Sequence, residues 1–460
     1  MLRPEPNQLS QRLTLLAACL IQFLGTLDYY AVNLAIPRMA SDLNASTTSL
    51  QWLISGYQIV LGAFMIAAGR LGDIWGRRRV LLVGVLLFGA SSLACGFAST
   101  PAPLIMLRLL QGLGTAIMFP LALAIVTNAY PAHRLRRALG IVYMVSATGT
   151  AVGPFIGGLL TETLGWRWIF FINIPIVLLI ITLILRGVRE SRDEETPPRI
   201  DIRGLVAISA GLAILSYAID RGPDWGWRSP LSMGMLILGG GLIAAFFFIE
   251  KYVRWPLVNL NLLRNRAYVV ITLGGAAANM LYVTIIFIVG LYLQDVRHLD
   301  PLTAGVVFLA LSVGAATSSQ MAGRTGNLSP RCVLSAALFC GGLGTILMSY
   351  YTAWPTFIPA FTLAGFGVGL GWAYAGVGTQ AVVAPERAGE AGGVTLTVLI
   401  AGGGVAIAAA AAGIGDVAQA TNAGHAMLMV LRVGGIGNLV AAALVLLFGK
   451  VPVSARQQVD

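Results

Sequence analysis

Residues 51–98 read QWLISGYQIVLGAFMIAAGRLGDIWGRRRVLLVGVLLFGASSLACGFA, two apolar runs on either side of a short basic loop. Each run has about 20 residues, the length that an α-helix needs to cross the hydrocarbon core of a bilayer. The loop between them, residues 69–79, holds Asp73 and four arginines. The stretch therefore predicts two membrane-spanning helices joined by a charged loop.

The whole chain has the composition of a membrane protein. Of its 460 residues, 57% are hydrophobic and 11% are charged. In a water-soluble domain about a quarter of the residues are charged, so this composition excludes a soluble protein of the same size. It excludes a disordered chain as well, because disorder requires low hydrophobicity. Long unbroken apolar runs, instead of weakly alternating strands, exclude a membrane barrel and predict an all-α polytopic protein.

Fourteen apolar runs are long enough to span a bilayer. They cover residues 14–36, 51–69, 79–98, 103–127, 138–161, 168–186, 204–220, 231–249, 268–293, 302–321, 332–351, 357–380, 392–414 and 428–448. An even number of spans places both termini on the same side of the membrane.

Positive charge is concentrated on the side that carries the termini. That side receives 23 of the 30 Lys and Arg residues and the other side five, while Arg108 and Arg432 fall within spans. Cytoplasmic loops carry an excess of Lys and Arg, so both termini are predicted to be cytoplasmic. The net charge of +11 is thus a topology signal, and we expect no nucleic-acid partner.

A charged stretch with Pro197-Pro198 divides the spans into six before it and eight after it. We predict a six-helix half at 1–186, a cytoplasmic linker at 187–203, two inserted helices at 204–249, and a second six-helix half with a cytoplasmic tail at 250–460. A weak repeat supports two halves, because GRTGNLSPR (323–331) lies at the place equivalent to the basic loop 69–79. Such duplication is common in transporters.

Two ionisable residues lie well inside spans. Asp28 is near the middle of the first span and Arg108 lies in the fourth. A charge at mid-bilayer costs about 2.5–3.5 kcal/mol on insertion scales, so it requires a structural or functional reason. Arg108, Gln111 and Thr115 share one face of a helix and form a polar stripe. Asp28 is either a structural polar contact or a proton-binding carboxyl, and Arg108 is either its electrostatic partner or part of an ion pair that only fixes helix register.

Five further acids lie at predicted span ends, where solvation is the simpler interpretation: Glu162, Asp220, Glu250, Asp295 and Asp416.

The fifth span contains glycines at every fourth position. Gly149, Gly153 and Gly157 form a smooth strip that permits close helix contact, with Gly158 beside it. Pro154 within the strip predicts a kink. Generic helix packing explains the glycines alone, but it explains the proline less well.

Motifs of enzyme chemistry are not visible. The glycine-rich run GFGVGLGWAYAGVG (365–378) has neither GxGxxG spacing nor a following lysine, and no HExxH or GxSxG occurs. The four cysteines fall in apolar stretches and indicate reduced side chains instead of disulfides or metal ligands. We therefore predict no cofactor, no metal and no catalytic residue.

Several stretches resemble motifs of the major facilitator superfamily. GRLGDIWGRRR (69–79) resembles its loop between the second and third helices, LRLLQGLGTA (107–116) its fourth-helix motif, and GTAVGPFIGG (149–158) its fifth-helix antiporter motif. Further stretches resemble the fourteen-span drug:proton antiporter branch: LDYYAVNLAIP (27–37), WRWIFFINIPI (166–176), DIRG (201–204), GPDWGWRSP (222–230) and PLVNLNLLRNRAY (256–268). Tyr30 departs from the threonine that is usual in that branch.

The resemblance implies a twelve-helix core plus two inserted helices that works by alternating access. It implies that Arg108 takes part in proton coupling and that the glycine strip determines the direction of exchange. It further implies that the loop residues stabilise one conformation through a charge network: Gly69, Leu71, Asp73, Gly76, Arg77 and Arg78. In that network we expect Asp73 and its neighbours to face Arg134, Arg136 and Arg137 of the next inner loop.

We therefore predict a proton-coupled antiporter of the bacterial cytoplasmic membrane that exports small organic molecules, amphipathic or cationic drugs above all. Asp28 is the predicted proton or cation site, and Arg108 is its electrostatic partner. Its partners are protons, the organic substrate and the lipid bilayer, and it functions as a monomer. Aromatic and amide residues are candidates for the cavity wall, although ordinary helix packing explains each equally well: Tyr29, Tyr30, Asn33, Tyr57, Gln58, Gln111, Tyr143, Asn279, Tyr282 and Trp372. A metabolite importer or symporter on the same fold is the first alternative, and a membrane enzyme or scaffold of envelope synthesis is the second.

Overall fold

The computed structural model of the chain describes residues 8–45, 47–50, 52–192, 201–254, 256–258, 260–322, 328–383, 388–420 and 422–449. The fourteen long helices in it are α1 (Gln8–Ala31), α2 (Trp52–Trp75), α3 (Arg77–Gly96), α4 (Pro101–Ala129), α5 (Ala132–Thr163), α6 (Asn173–Gly187), α7 (Ile202–Trp225), α8 (Pro230–Tyr252), α9 (Arg266–Leu291), α10 (Pro301–Ala322), α11 (Pro330–Tyr350), α12 (Trp354–Val382), α13 (Ala388–Ala420) and α14 (Ala423–Phe448). Fourteen segments are long and apolar enough to cross a membrane, and the described residues contain no strand. The predicted all-α class with fourteen spans is confirmed.

Several helices extend beyond the apolar runs that predicted them. The fifth run covers 138–161, whereas α5 covers Ala132–Thr163 with Pro154 inside it. Hydropathy marks only the part of a helix that lies in hydrocarbon, while backbone hydrogen bonds continue into the polar flanks. Local caps define other ends: Ser229 accepts a hydrogen bond from the backbone N–H of Ser232 at the start of α8, where Pro230 occupies the first turn.

The helices pack as an early group and a late group. In the early group α1 contacts α4, α5 and α6, and α4 contacts α2 and α3. In the late group α9 contacts α11 to α14, and α12 contacts α10 and α11. The main contacts between the groups are α5 on α10 and α2 on α13. The repeated loop at 323–331 cannot be compared in full, since residues 323–327 lie outside the described part.

The inserted helices α7 and α8 lie at the seam where α2 meets α13. Helix α7 contacts both of them, and α8 packs on α7. Ser209 Oγ on α7 donates a hydrogen bond to the carbonyl oxygen of Ala63 on α2 at 2.8 Å. The ring of Tyr217 lies 5.2 Å from that of Trp52, over which the Arg221 guanidinium also lies. These contacts fasten α7 to α2.

Large apolar side chains cover the outside of the bundle. Ile237 and Phe248 on α8 are 69% and 67% exposed, and Val433 and Leu447 on α14 are 68% and 65% exposed. Apolar surface of this extent is unfavourable in water and marks contact with another apolar phase. The helices are long enough for that phase to be the bilayer.

The expectation for the span-end acids is wrong for one of them. Glu162 and Asp295 are exposed as predicted, but Glu250 at the end of α8 is buried. The chain folds back after α8, and the Glu250 carboxylate accepts hydrogen bonds from the backbone N–H groups of Leu257 and Val258 at 3.1 and 3.2 Å. The side chains of Asp220 and Asp416 lie outside the described part.

Candidate functional site

A buried ion pair joins α1 to α4. Arg108 Nη1 lies 2.6 Å from Asp28 Oδ2, and both side chains are completely shielded from solvent. Removing two charges from water is costly, and further hydrogen bonds to the pair offset part of that cost. The neighbours of this pair supply several such bonds.

The Asp28 carboxylate accepts hydrogen bonds from three side chains. Besides Arg108, Gln111 Nε2 donates to Oδ1 at 3.0 Å and Asn173 Nδ2 donates to the same oxygen at 2.8 Å. Arg108 also donates to Gln111 Oε1 at 2.9 Å and, through Nε, to the carbonyl oxygen of Leu53 at 3.2 Å. The carboxylate is therefore held between α1, α4 and α6.

The polar stripe on α4 continues beyond the ion pair. Thr115 Oγ1 donates to the backbone carbonyl oxygen of Gln111 at 3.1 Å and shares a hydrogen bond with the Tyr57 hydroxyl at 2.7 Å. The Arg108 guanidinium lies 4.4 Å from the centre of the Tyr57 ring and 5.8 Å from that of Phe170. Aromatic faces attract a cation most strongly where water is excluded. The Arg108 guanidinium is thus surrounded by a carboxylate, a side-chain amide and two aromatic rings.

Asn173 is a member of this site that the sequence reasoning missed. It is the first residue of α6 and lies within the apolar stretch 166–176; the N-cap of this helix is Ile172, so Asn173 does not cap it. Its Nδ2 also donates to Ser92 Oγ at 2.9 Å, while its Oδ1 has no hydrogen-bond partner among the described residues. The available signal was indirect: a carboxylate in the membrane needs donors, and Asn173 is an amide in an apolar run.

A cavity of about 520 Å³, counting the space at its mouth, lies between the early and late groups of helices. Seven of the ten predicted cavity residues line it, together with Gly25, Thr26, Leu61, Phe119, Thr150, Val283 and Ile400. The seven are Tyr29, Tyr30, Tyr57, Gln58, Asn279, Tyr282 and Trp372. None of these lining residues is charged. The wall is therefore aromatic, with a few amides and hydroxyls.

The other three predicted cavity residues lie elsewhere. Asn33 begins a short 3₁₀ turn, Asn33–Ala35, after α1 has ended. Gln111 is bound to the ion pair, as described above. Tyr143 is buried on α5 with its ring against Gly376 of α12, close to where an added Cβ would lie. Residue type alone does not tell a cavity wall from a helix contact.

Asp28 does not line the cavity, although its neighbour Tyr29 does. Successive residues of a helix point about 100° apart, and Tyr29 faces the cavity while Asp28 faces α4. The Tyr57 ring lies between Arg108 and the cavity, 5.6 Å from the Tyr29 ring. The Tyr29 hydroxyl donates to Gln58 Oε1, and Gln58 Nε2 donates to the carbonyl oxygen of Ile400 on α13 at 3.3 Å. We call Tyr29, Tyr57 and Gln58 the tyrosine layer.

The basic loop at 69–79 forms a charge network with different partners from those predicted. Asp73 pairs with Arg77 one turn later, with Nη2 at 2.7 Å from Oδ1, and no described ion pair joins it to Arg134 or Arg137. Instead, Glu190 after α6 accepts from the backbone N–H of Arg78 at 3.0 Å. The side chain of Arg136 lies outside the described part.

Glu190 completes this network from the beginning of the predicted linker. Its Oε2 lies 3.6 Å from Arg79 Nε, and the backbone N–H of Arg77 donates to the carbonyl oxygen of Ser191 at 2.8 Å. Gly76 has φ +104°, and a Cβ there would lie 2.7 Å from the Glu190 carboxylate. Glycine is thus required both by the backbone conformation and by the neighbouring acid. Gly69 and Leu71 lie on the last turns of α2.

The glycine strip of α5 lies directly against α1. A Cβ at Gly149, Gly153 or Gly157 would come within van der Waals overlap of α1, and at Gly157 it would overlap a backbone carbonyl. Gly158 points the other way, toward the first residue of α10. The strip and its neighbour therefore allow α5 to contact helices of both groups closely.

The chain matches a known protein family and several known proteins. A profile described as Major Facilitator Superfamily matches residues 18–405. Puromycin resistance protein pur8 of Streptomyces alboniger is 33% identical over 422 residues, which cover 88% of this chain and 81% of that protein. The tetracenomycin C resistance and export protein of Streptomyces glaucescens is 34% identical, covering 85% of this chain and 73% of that protein. Multidrug resistance protein Stp of Mycobacterium tuberculosis is 34% identical, covering 84% of this chain and 72% of that protein.

Solved structures agree on the fold. The human organic anion transporter MFSD10 (TETRAN) superposes with a TM-score of 0.63 at 15% identity, covering 96% of this chain and all of that one. A POT family transporter superposes with a TM-score of 0.68 at 16% identity, covering 94% of this chain and 95% of that one. At these identities the likeness concerns the fold alone.

Proposed function

Since this chain belongs to the Major Facilitator Superfamily, we propose that it exports small organic molecules across the bacterial cytoplasmic membrane in exchange for protons. The family consists of transporters and not of enzymes. The relatives at 33% and 34% identity are named for resistance to puromycin, for resistance to and export of tetracenomycin C, and for multidrug resistance. Their names support a drug as the cargo.

The buried Asp28–Arg108 pair is the observation that supports proton coupling. Arginine keeps its charge in proteins, so the pair is neutral only while Asp28 is a carboxylate. A proton on Asp28 leaves the guanidinium charge uncompensated in a site without solvent, which disfavours this closed arrangement. Proton binding therefore favours another conformation, in which Arg108 has water or a different partner. A ligand shifts such an equilibrium by its difference in affinity for the two states.

The cavity supports amphipathic or cationic aromatic substrates. Its wall holds four tyrosines, Phe119 and Trp372, whose ring faces bind flat apolar groups and attract positive charge. Gln58 and Asn279 are the amides at the wall and orient polar substituents. A positive charge on the cargo meets rings here and not a carboxylate.

The packing supports alternating access between two six-helix halves at 1–186 and 250–460, with the linker and inserted helices between them. The α5–α10 contact, where Gly158 faces the first residue of α10, provides a surface on which the halves can rotate. The α2–α13 contact lies beside the cavity. We propose a single chain as the functional unit, because pair and cavity lie within one chain. The concentration of Lys and Arg on the side of the termini supports a cytoplasmic location for both.

Everted membrane vesicles test this proposal. With a preformed inside-acid gradient, an exported dye should enter the vesicles and release protons, whereas a symporter moves protons inward with the substrate. Asp28→Asn should abolish the dye-driven proton release. Asp295→Asn, an equivalent change at an exposed acid, should preserve it. Normal exchange in the Asp28 variant removes that residue from the mechanism, and chemical conversion of the substrate would instead indicate an enzyme.

A further inference from the structure

The donors around Asp28 fit a carboxylate and not a carboxylic acid. An ionised carboxylate only accepts hydrogen bonds, whereas a protonated one has an O–H that needs an acceptor. Asp28 Oδ1 receives N–H groups from Gln111 and Asn173 at 3.0 and 2.8 Å. Its Oδ2 receives Arg108 Nη1 at 2.6 Å. A proton on Asp28 therefore requires one of these three neighbours to change what it offers.

Arg108 determines which oxygen of Asp28 takes the proton. A guanidinium keeps its charge and has no acceptor atom, so Oδ2 stays the acceptor for Nη1. Oδ1 faces two neutral amides, which are weaker donors than a charged group. The proton therefore belongs on Oδ1, at which Gln111 and Asn173 both direct an N–H. One of the two amides has to turn and present its oxygen.

Gln111 is held in its present orientation by Arg108. Gln111 Oε1 accepts a hydrogen bond from Arg108 Nη1 at 2.9 Å. Turning this amide would point an N–H of Gln111 at an N–H of Arg108, and the buried guanidinium would lose an acceptor. Gln111 therefore remains a donor to Asp28 in both protonation states.

Asn173 can turn without such a loss. Its Oδ1 is buried and has no hydrogen-bond partner among the described residues, so turning breaks no bond to that atom. Its contact from Nδ2 to Ser92 Oγ, at 2.9 Å, suits both orientations, because a hydroxyl can donate as well as accept. The Ser92 hydroxyl now donates to the carbonyl oxygen of Phe170 at 2.9 Å, and it can donate to Asn173 instead.

Resting on the proposed proton exchange, we propose that the Asn173 amide turns over when Asp28 is protonated, so that its oxygen accepts the hydrogen bond of the acid. Asn173 is a positioning residue: it donates to the carboxylate, accepts from the acid and binds no proton itself. The proton comes from water when the site opens and returns to water. Asn173 is the first residue of α6 and Asp28 lies on α1, so both protonation states keep these two helices in contact.

The other titratable and charged groups that face Asp28 leave it as the group that gains the proton. Arg108 on α4 already carries its proton. Tyr57 on α2 and Cys95 on α3 interact electrostatically with Asp28, and both residue types keep their protons below the alkaline range. Helix α6 contributes Asn173, which does not titrate, and α5 faces α1 with its glycine strip.

Infrared spectroscopy tests the amide directly. The full-length protein is made by cell-free synthesis with asparagine whose side-chain carbonyl carries a heavy carbon isotope, and it is measured in nanodiscs in alkaline and in acid buffer. A carbonyl that accepts a hydrogen bond vibrates at a lower frequency than a free one, so the Asn173 band should shift downward in acid. Asn173→Gln, which keeps an amide without the label, assigns the band. Asp28→Asn presents an N–H at every pH, so there the Asn173 band should lie at the lower frequency in both buffers.

Asn279 on α9 is the matched control. Its side chain is also buried, and its amide donates to the carbonyl oxygen of Leu399 at 2.7 Å, so its band should not move in acid. The carboxylic acid band of Asp28, which Asp28→Asn removes, reports proton binding separately. If that band appears in acid while the Asn173 band stays in place, the amide turn is overturned and the proposed exchange is not. If the acid band does not appear, proton binding at Asp28 fails and the amide turn fails with it.

Discussion

Replacing Asp28 by asparagine removes one charge from the buried pair and keeps its shape. Arg108 is fully buried, and its Nη2 has no hydrogen-bond partner among the described residues. The new amide has only one acceptor oxygen. Its N–H would therefore point either at Arg108 Nη1 or at another donor to residue 28, and one hydrogen bond would be lost. Breaking a buried pair by removing one partner costs about 3–5 kcal/mol, because the other charge is left uncompensated. We expect Asp28→Asn to lower the free energy of unfolding by that amount.

A double-mutant cycle separates this charge effect from lost packing. Arg108→Gln alone leaves a carboxyl that can take up a proton and keeps the amide donors of Gln111 and Asn173, so we expect a smaller loss of about 1–3 kcal/mol. The double variant Asp28→Asn, Arg108→Gln contains no buried charge. It should therefore be more stable than the sum of the single effects by about 2 kcal/mol.

The assay is reversible denaturant unfolding of the purified protein in mixed micelles, followed by tryptophan fluorescence. Arg38→Gln is the matched control, because Arg38 is two-thirds exposed and its ion pair with Asp42 spans 3.5 Å at the surface. That pair should contribute less than about 1 kcal/mol. Additive effects in the cycle, or an Asp28 variant as stable as the Arg38 variant, would refute the coupled buried pair.

Three further predictions concern single side chains. Asn173→Leu removes one of the three donors to the Asp28 carboxylate, so it should lower the free energy of unfolding in denaturant by about 1.5–3 kcal/mol. Gly157→Ala should lower the thermal unfolding temperature of the purified protein, because the methyl group meets a backbone carbonyl of α1. Gly140→Ala in the same helix meets nothing within 4 Å, so it should leave that temperature unchanged or raise it. Gly76→Ala and Gly165→Ala both place a side chain at positive φ, +104° and +91°, at a cost of about 1–2 kcal/mol. The variant at 76 should cost more in denaturant unfolding because it also meets a carboxylate, and equal costs would contradict that contact.

The fold was predictable because the bilayer imposes strict rules on the sequence. Length and apolarity located fourteen spans, and only the helix ends differed. The polar face of α4 also followed from spacing, since Arg108, Gln111 and Thr115 recur at helical intervals. Both results depend on neighbours within one helix or on the membrane itself.

Contacts between distant parts of the chain were not predictable. Asn173 reaches Asp28 from 145 residues away, and Glu190 reaches Arg78 from 112 residues away. Glu250 is buried because of a turn that follows its helix. Periodicity reports which face a residue occupies, but it does not report which helix that face meets, and this information resides in the tertiary packing.

The tyrosine layer places a condition on any proton exchange at Asp28. A carboxyl that exchanges protons must meet water, yet here it is enclosed by α4, α6 and the layer. The layer is held by the chain of hydrogen bonds from Tyr29 through Gln58 to Ile400, which joins α1 and α2 to α13. In the proposed exchange mechanism, a movement of α2 away from α13 would break that chain and open the cavity in the same step. Hydration of the acid and access of the cargo would then be consequences of one motion, which would link the two proposed fluxes.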